Sequence, residues 1–133
     1  MKVTVQTLRA IGALSEFDDA ELEGLLELAP VKRFEAGWPI YEEATPGRSA
    51  FLIIDGEAEL RKSLGDKERK IAAVHSGVLM GQGALIDRSH RMVSLHAVTD
   101  VTTLVIERTT YRKALDRLDP VAMRLQRQVD ELT

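Results

Sequence analysis

Hydrophobic and polar positions change their period twice along this chain, and those changes divide it into three stretches. In the first, Leu8, Ile11 and Leu14 recur at helical spacing. Leu22, Leu25, Leu26 and Leu28 then form a second apolar stripe, preceded by the N-cap candidates Ser15, Asp18 and Asp19 and stopped by Pro30. This predicts a helical lead-in over residues 1–30.

From residue 31 the period shortens. Segments 31–37, 38–44, 49–56, 57–63, 71–77, 92–98 and 101–107 are apolar-rich or alternate, and Gly, Pro or polar clusters separate them. They read as about seven or eight short strands over 31–107, with turns at Ala36-Gly37, Thr45-Pro46-Gly47 and Asp55-Gly56. The Asp55-Gly56 pair predicts a hairpin joining its two flanking strands, because tight mirror-image turns favour Asp-Gly. Residues 64–70, LGDKERK, predict a polar hairpin tip. The number and spacing of strands point to a sandwich or roll.

A helical pattern returns over 109–133. Residues 109–118 predict one helix with a threonine cap, and Asp119-Pro120 offers a cap and first-turn proline for another. Along the last helix Leu118, Ala122, Leu125, Val129 and Leu132 follow a heptad-like 4-3-4-3 spacing. That stripe has two readings: it packs on the protein's own strands, or it serves as a homodimer or partner-docking seam through Ala122, Leu125, Val129 and Leu132. With no linker or low-complexity tract, the 133 residues are expected to form one unit.

Composition narrows the functional classes. A formal net charge of −3 does not suit a protein that coats nucleic acid, although one local basic pocket fits within it. Without cysteine, thiolate catalysis and Cys-ligated zinc are excluded. No apolar run approaches the length of a membrane span, and the N-terminus lacks a signal-peptide core, so a cytoplasmic protein is expected. His75, His90 and His96 are too scattered to predict a metal site, and Ser76 and Ser89 lack a nucleophile elbow. No catalytic residue is assigned and no enzyme is expected.

The segment GQGALIDRSHR, 81–91, carries the candidate chemistry. Glycine permits close backbone approach, a short helical turn offers amide N–H groups, and a guanidinium can clamp two oxygens of an anion. Gly81 and Gly83, the turn Ala84 to Asp87, and Arg91 supply these parts. Arg91 read by itself has two outcomes, phosphate binding or a salt bridge to Asp87 or a strand-edge carboxylate.

The order of elements and this segment together resemble the cyclic nucleotide-binding domain of catabolite-activator-type regulators, kinase regulatory subunits and gated channels. The family's phosphate cassette reads approximately F-G-E-x-A-L-I/L, a short spacer, then R-A-A. Met80 to Ile86 followed by Arg91-Met92-Val93 align with it, and Gly37, Pro46-Gly47, Gly56 and Gly77 match family turn positions. The resemblance spans Leu8 to Leu132. It implies a mainly β fold, a jelly-roll β-roll of about eight short strands, with N-terminal helices, two C-terminal helices and the cassette over 80–92.

It also implies a site at Gly81, Gln82, Gly83, Ala84, Arg91 and Met92. There Arg91 would hold the exocyclic phosphate oxygens and the Gly83 and Ala84 amides would cap them. The implied ligand is cyclic AMP, cyclic GMP or a related phosphorylated molecule, with no further cofactor, and the implied role is a module that signals to a partner protein. Gln82 replaces the glutamate that accepts from the ribose 2′-OH, Met92 replaces a small residue, His90 stands where proline is common, and Ala44 stands near a frequent glycine. A ligand-free interaction or dimerisation domain of the same fold is the competing expectation. The chain reaches Thr133 without a helix-turn-helix pattern, so direct DNA binding is not expected.

Overall fold

The computed structural model describes residues 2–86 and 90–132, with side chains as far as Asp130. The lead-in holds a short helix α1 (Val5–Arg9), a 3-10 turn at Gly12–Leu14, and α2 (Asp19–Leu28). Of the three N-cap candidates, Asp18 caps α2. Its carboxylate accepts from the Glu21 N–H at 2.8 Å, while Glu21 accepts from the Asp18 N–H at 3.1 Å.

Eight strands follow: β1 (Val31–Phe34), β2 (Pro39–Tyr41), β3 (Ser49–Asp55), β4 (Ala58–Leu64), β5 (Lys67–Val74), β6 (Leu79–Met80), β7 (Ser94–Ala97) and β8 (Val101–Glu107). They form two four-stranded antiparallel sheets in the orders β1-β8-β3-β6 and β2-β7-β4-β5. The result is the expected β-roll, closed at its end by α3 (Arg108–Asp116) and α4 (Pro120–Leu132).

The first sheet is covered on both faces, which explains why β3 and β8 are almost continuously apolar. Phe51, Ile53 and Val101 point into the roll with Phe34, Ile40 and Leu95. Ala50, Leu52, Ile54, Leu104 and Ile106 point the other way, into a second core with the helices. Side chains alternate along a strand, so one run feeds both cores.

Three local expectations are corrected. Asp55-Gly56 does not join a hairpin, because β3 pairs with β6 and β8 whereas β4 pairs with β5 and β7. The pair is a corner between sheets. Gly56 has φ 95°, and a Cβ there would lie 2.2 Å from the Asp100 carbonyl oxygen. A hairpin does form one turn later, where Leu64 pairs with Lys67 across Gly65-Asp66.

The cap of α3 is also not a threonine. Glu107 fills that place, its carboxylate accepting from the Thr110 N–H at 3.0 Å. This bond holds the Glu107 carboxyl below the usual carboxylate range.

The heptad-like stripe is not a free seam. Ala122, Leu125 and Val129 are 0%, 2% and 0% exposed, packed among Leu8, Leu22 and Leu25 of the lead-in and Ile106 of β8. A helix laid over a sheet must bury one face, and α4 spends its apolar face on its own chain. The side chain of Leu132 lies outside the described residues. Leu118 leaves the stripe altogether, since it precedes α4, is 71% exposed and has φ 59°.

Leu118 sits just past the end of α3, where its N–H donates to the Leu115 carbonyl and the next N–H, of Asp119, donates to that of Ala114. That pattern is the Schellman motif, in which glycine is the common residue at the left-handed position. Ala44 shares the same backbone region at φ 65°. Relieving the Cβ clash of a left-handed residue is worth about 1 kcal/mol. We therefore expect Leu118→Gly and Ala44→Gly each to raise Tm by about 3 °C in a thermal melt. A lower Tm would mean that glycine's added unfolded-state entropy outweighs the strain relieved.

Candidate functional site

Arg91 is held at the mouth of the roll by its backbone. Its N–H donates to the Thr45 carbonyl at 2.9 Å, and its own carbonyl accepts from the Ala44 N–H at 2.7 Å. Residue 90 forms an isolated bridge with Pro46. The turn at 42–47, legible in sequence only as a Pro-Gly loop, is thus the clasp that aims the arginine.

The side chain turns inward and is only 9% exposed. One terminal nitrogen donates to the Ser49 carbonyl at 2.7 Å, and the other reaches the Gly81 carbonyl at 3.5 Å. The guanidinium lies 4.4 Å from the Tyr41 ring centroid and 5.9 Å from that of Phe51. Tyr41 and Phe51 are themselves stacked at 6.1 Å. Burial pushes the Arg91 pKa down, the Tyr41 phenol opposes that shift, and the nearby Arg108 cation adds to it. Burial likewise raises the Tyr41 phenol, with Arg91 opposing.

No carboxylate among the described residues pairs with Arg91, and its Nε is buried without a hydrogen-bond partner. The salt-bridge reading through Asp87 lies outside the described residues. A buried donor left unsatisfied costs about 1–3 kcal/mol.

Two glycines make room for this arrangement. A Cβ on Gly47 would lie 2.3 Å from Arg91 Nε and 2.4 Å from its Cζ. A Cβ on Gly81 would lie 2.7 Å from a terminal nitrogen of the same guanidinium, and Gly81 has φ 75°. Gly81 thus caps the 3-10 turn Gln82–Leu85 in a left-handed conformation that a side chain resists.

The cavity beside Arg91 measures about 250 Å³. All six residues singled out from the sequence line it: Gly81, Gln82, Gly83, Ala84, Arg91 and Met92. Tyr41, Leu60, Met80, His90 and Val93 complete the lining. The sequence reading did not pick Tyr41 or Leu60, because an aromatic or aliphatic residue on a strand carries no signal of which cavity it faces. Met92 lines the cavity but is 73% exposed, so its side chain does not fill the space beside the Arg91 guanidinium.

Of the two amides expected to cap an anion, one is already engaged. The Ala84 N–H donates to the Gly81 carbonyl at 3.0 Å, the i to i−3 bond that defines the 3-10 turn. The Gly83 N–H has no hydrogen-bond partner among the described residues.

The other candidates lie apart from this cavity. His96 Nδ1 is 3.5 Å from Arg61, and His75 Nδ1 is 3.8 Å from Glu57. Trp38 is 50% exposed. Among the described residues no helix is long and apolar enough to cross a membrane.

The chain is 33% identical over 93 residues to the cyclic AMP receptor protein of Thermus thermophilus, covering 69% of this chain and 43% of that one. It is 28% identical over 119 residues to a cAMP-dependent protein kinase regulatory subunit of Aspergillus fumigatus, covering 90% of this chain and 28% of that one. The chain therefore spans less than half the length of these relatives. A cyclic nucleotide-binding domain from Methylobacillus flagellatus superposes with a TM-score of 0.80 at 20% identity, over 96% of this chain and 72% of that one, a likeness of fold. The family model described as the cyclic nucleotide-binding domain matches residues 31–117, from the first strand through the end of α3. With well over half of its length under that match, the chain belongs to the cyclic nucleotide-binding domain family.

Proposed function

We propose that this chain is a sensory module that binds cyclic AMP or cyclic GMP at the Arg91 cavity and passes occupancy to a partner protein. The observation that carries this reading is the buried Arg91 guanidinium, unpaired by any described carboxylate, on the wall of a cavity next to the open Gly83 amide. A cyclic phosphodiester brings one negative charge and two exocyclic oxygens. It would give the cation a counter-ion in a partly desolvated place, where charge-assisted hydrogen bonds are strong.

Gln82 tunes the ribose end. Its side-chain amide can accept from a 2′-hydroxyl but carries no charge. A hydrogen bond to a charged acceptor exceeds a neutral one by about 1 kcal/mol, so Gln82→Glu is expected to tighten cyclic AMP binding about fivefold. Calorimetric titration checks this, with 2′-deoxy cyclic AMP as control. The gain should vanish for the deoxy compound, and an equal gain would place Gln82 away from the ribose.

The primary test is titration of the protein with cyclic AMP and cyclic GMP. Micromolar or tighter binding supports the reading. No heat and no thermal shift at millimolar nucleotide would overturn it and leave the ligand-free interaction domain as the description of the chain.

A further inference from the structure

The ribbon formed by β4 and β5 runs on past the sheet it belongs to. β7 pairs with β4 only over residues 58–61, so Lys62, Ser63 and Leu64 are paired on one side alone, by β5. Glu43 anchors the ribbon where it leaves the sheet. Its carboxylate accepts from the Ser63 N–H at 3.0 Å and pairs with the Lys62 ammonium at 3.5 Å. Lys62 also donates to the Met92 carbonyl at 3.0 Å. The ribbon is thus held in place before anything meets it, which lowers the ordering cost of a contact.

An open groove of about 320 Å³ lies on this ribbon, lined by Lys62, Leu64, Arg69, Lys70 and Ile71. It shares no residue with the Arg91 cavity. Leu64 and Ile71 are 55% and 53% exposed. Lys62 and Arg69 stand directly opposite each other across the strand pair, an arrangement of like charges that destabilises a sheet. Glu43 answers Lys62, and Glu59 lies 3.7 Å from Lys70, but Arg69 and nearby Lys67 have no ion-pair partner among the described residues. Residues 61–71 hold five cations against two acids, in a chain whose net charge is −3.

Cations on an exposed edge such as β5 guard it against pairing with another chain. Two aliphatic side chains left bare among them work against that purpose, because they favour contact. The combination matches a ligand of the opposite design, an apolar side chain flanked by carboxylates. The net acidic remainder of the surface repels such a ligand and directs it to this groove. No Trp, Tyr or Phe stands between residues 57 and 74 to stack on bases or settle at a lipid interface, and Asp66 occupies the tip. A peptide therefore fits better than a nucleic acid or a membrane.

We propose that the β4–β5 groove docks an acidic peptide segment of a partner protein, in which a leucine or isoleucine sits between glutamates or aspartates. The aliphatic side chain packs against Leu64 and Ile71, and its flanking carboxylates pair with Arg69, Lys67 and Lys70. This docking stands apart from the nucleotide reading.

Fluorescence anisotropy of a fluorescein-labelled peptide, Glu-Asp-Glu-Leu-Glu-Leu-Asp-Glu, titrated with the whole chain, tests it. A Kd below about 100 μM is expected at low salt. Affinity should fall several-fold between about 50 and 300 mM salt, because exposed charge pairs are screened. Arg69→Glu should weaken binding about tenfold, and Ile71→Ser about fivefold. Both side chains are exposed, and Arg69→Glu turns a like-charge pair into an opposite one, so thermal melts of both variants should stay near the native Tm. Lys113→Glu on the exposed face of α3 makes the same change in net charge and should leave affinity within about twofold.

No anisotropy change up to about 1 mM chain would overturn the proposal, as would native affinity in Arg69→Glu. An equal loss in Lys113→Glu would show net charge acting without a site, and unchanged affinity in Ile71→Ser would show charge acting without the apolar contact. Either result overturns the groove. Phosphatidylserine vesicles, a DNA duplex and sedimentation of the chain alone cover the other occupants. A response to one of these that Arg69→Glu abolishes, with none to the peptide, would assign the groove to that occupant and overturn the peptide.

Discussion

Arg91→Ala is expected to weaken cyclic AMP and cyclic GMP binding by at least about 30-fold, because truncating one member of a buried charge-assisted pair costs about 2–5 kcal/mol. The fold should survive. The substitution removes bonds to the Ser49 and Gly81 carbonyls and the stack on Tyr41, which destabilises. It also removes a desolvated cation with an orphaned Nε, which stabilises. These effects oppose each other and leave Tm within a few degrees of the native value. Arg91→Lys should lose most of the affinity as well, since an ammonium cannot bond two main-chain carbonyls and an anion in one plane. Calorimetry paired with thermal melting separates the two readouts. Native affinity in Arg91→Ala, with the fold intact, would show that whatever binds does so elsewhere.

Leu125→Glu should unfold the chain, and this is the largest stability effect expected. Leu125 is buried against the lead-in helices, so the substitution both empties an apolar site and places a carboxylate in it. Losing a buried leucine alone costs about 2–5 kcal/mol. Adding an unpaired buried charge takes the total to the size of a domain's whole stability, about 5–15 kcal/mol. Circular dichroism at 25 °C should show loss of structure. Had the stripe been a seam between copies, the same variant would give a folded monomer in sedimentation with near-native melting. That outcome would overturn the packing described for α4.

The elements were largely legible in the linear pattern, and the reasons are local. An alternating or continuous apolar run of at least four residues marks a strand, as in 49–55 and 101–107, and Asp119-Pro120 supplies a side-chain cap and a first-turn proline for α4 within two adjacent residues. The two-residue strand β6 was missed because two residues carry no period. The cap of α3 was misplaced because threonines at 109 and 110 outrank glutamate in local propensity, whereas the helix begins one residue earlier, where β8 ends.

The six site residues were legible because they sit in one segment whose glycines and arginine have few other uses together. Tyr41, Leu60, Gly47 as the neighbour of Arg91, and Arg108 were not. Their roles depend on distances between residues tens of positions apart. Arg108 bonds residues 24 and 61 positions away, and nothing in its own neighbourhood distinguishes it from a solvated arginine at a helix start.

By itself the sequence determined the succession of helices and strands, the position of the cassette, and the absence of cysteine chemistry, since propensity, period and composition act within a few residues. Tertiary structure decided which strands pair across Asp55-Gly56, whether the α4 stripe is core or seam, and which carbonyls and rings hold the Arg91 guanidinium. Each of those is an allocation of buried surface, hydrogen bonds or charge among distant segments, and it exists only once the chain has brought them into contact.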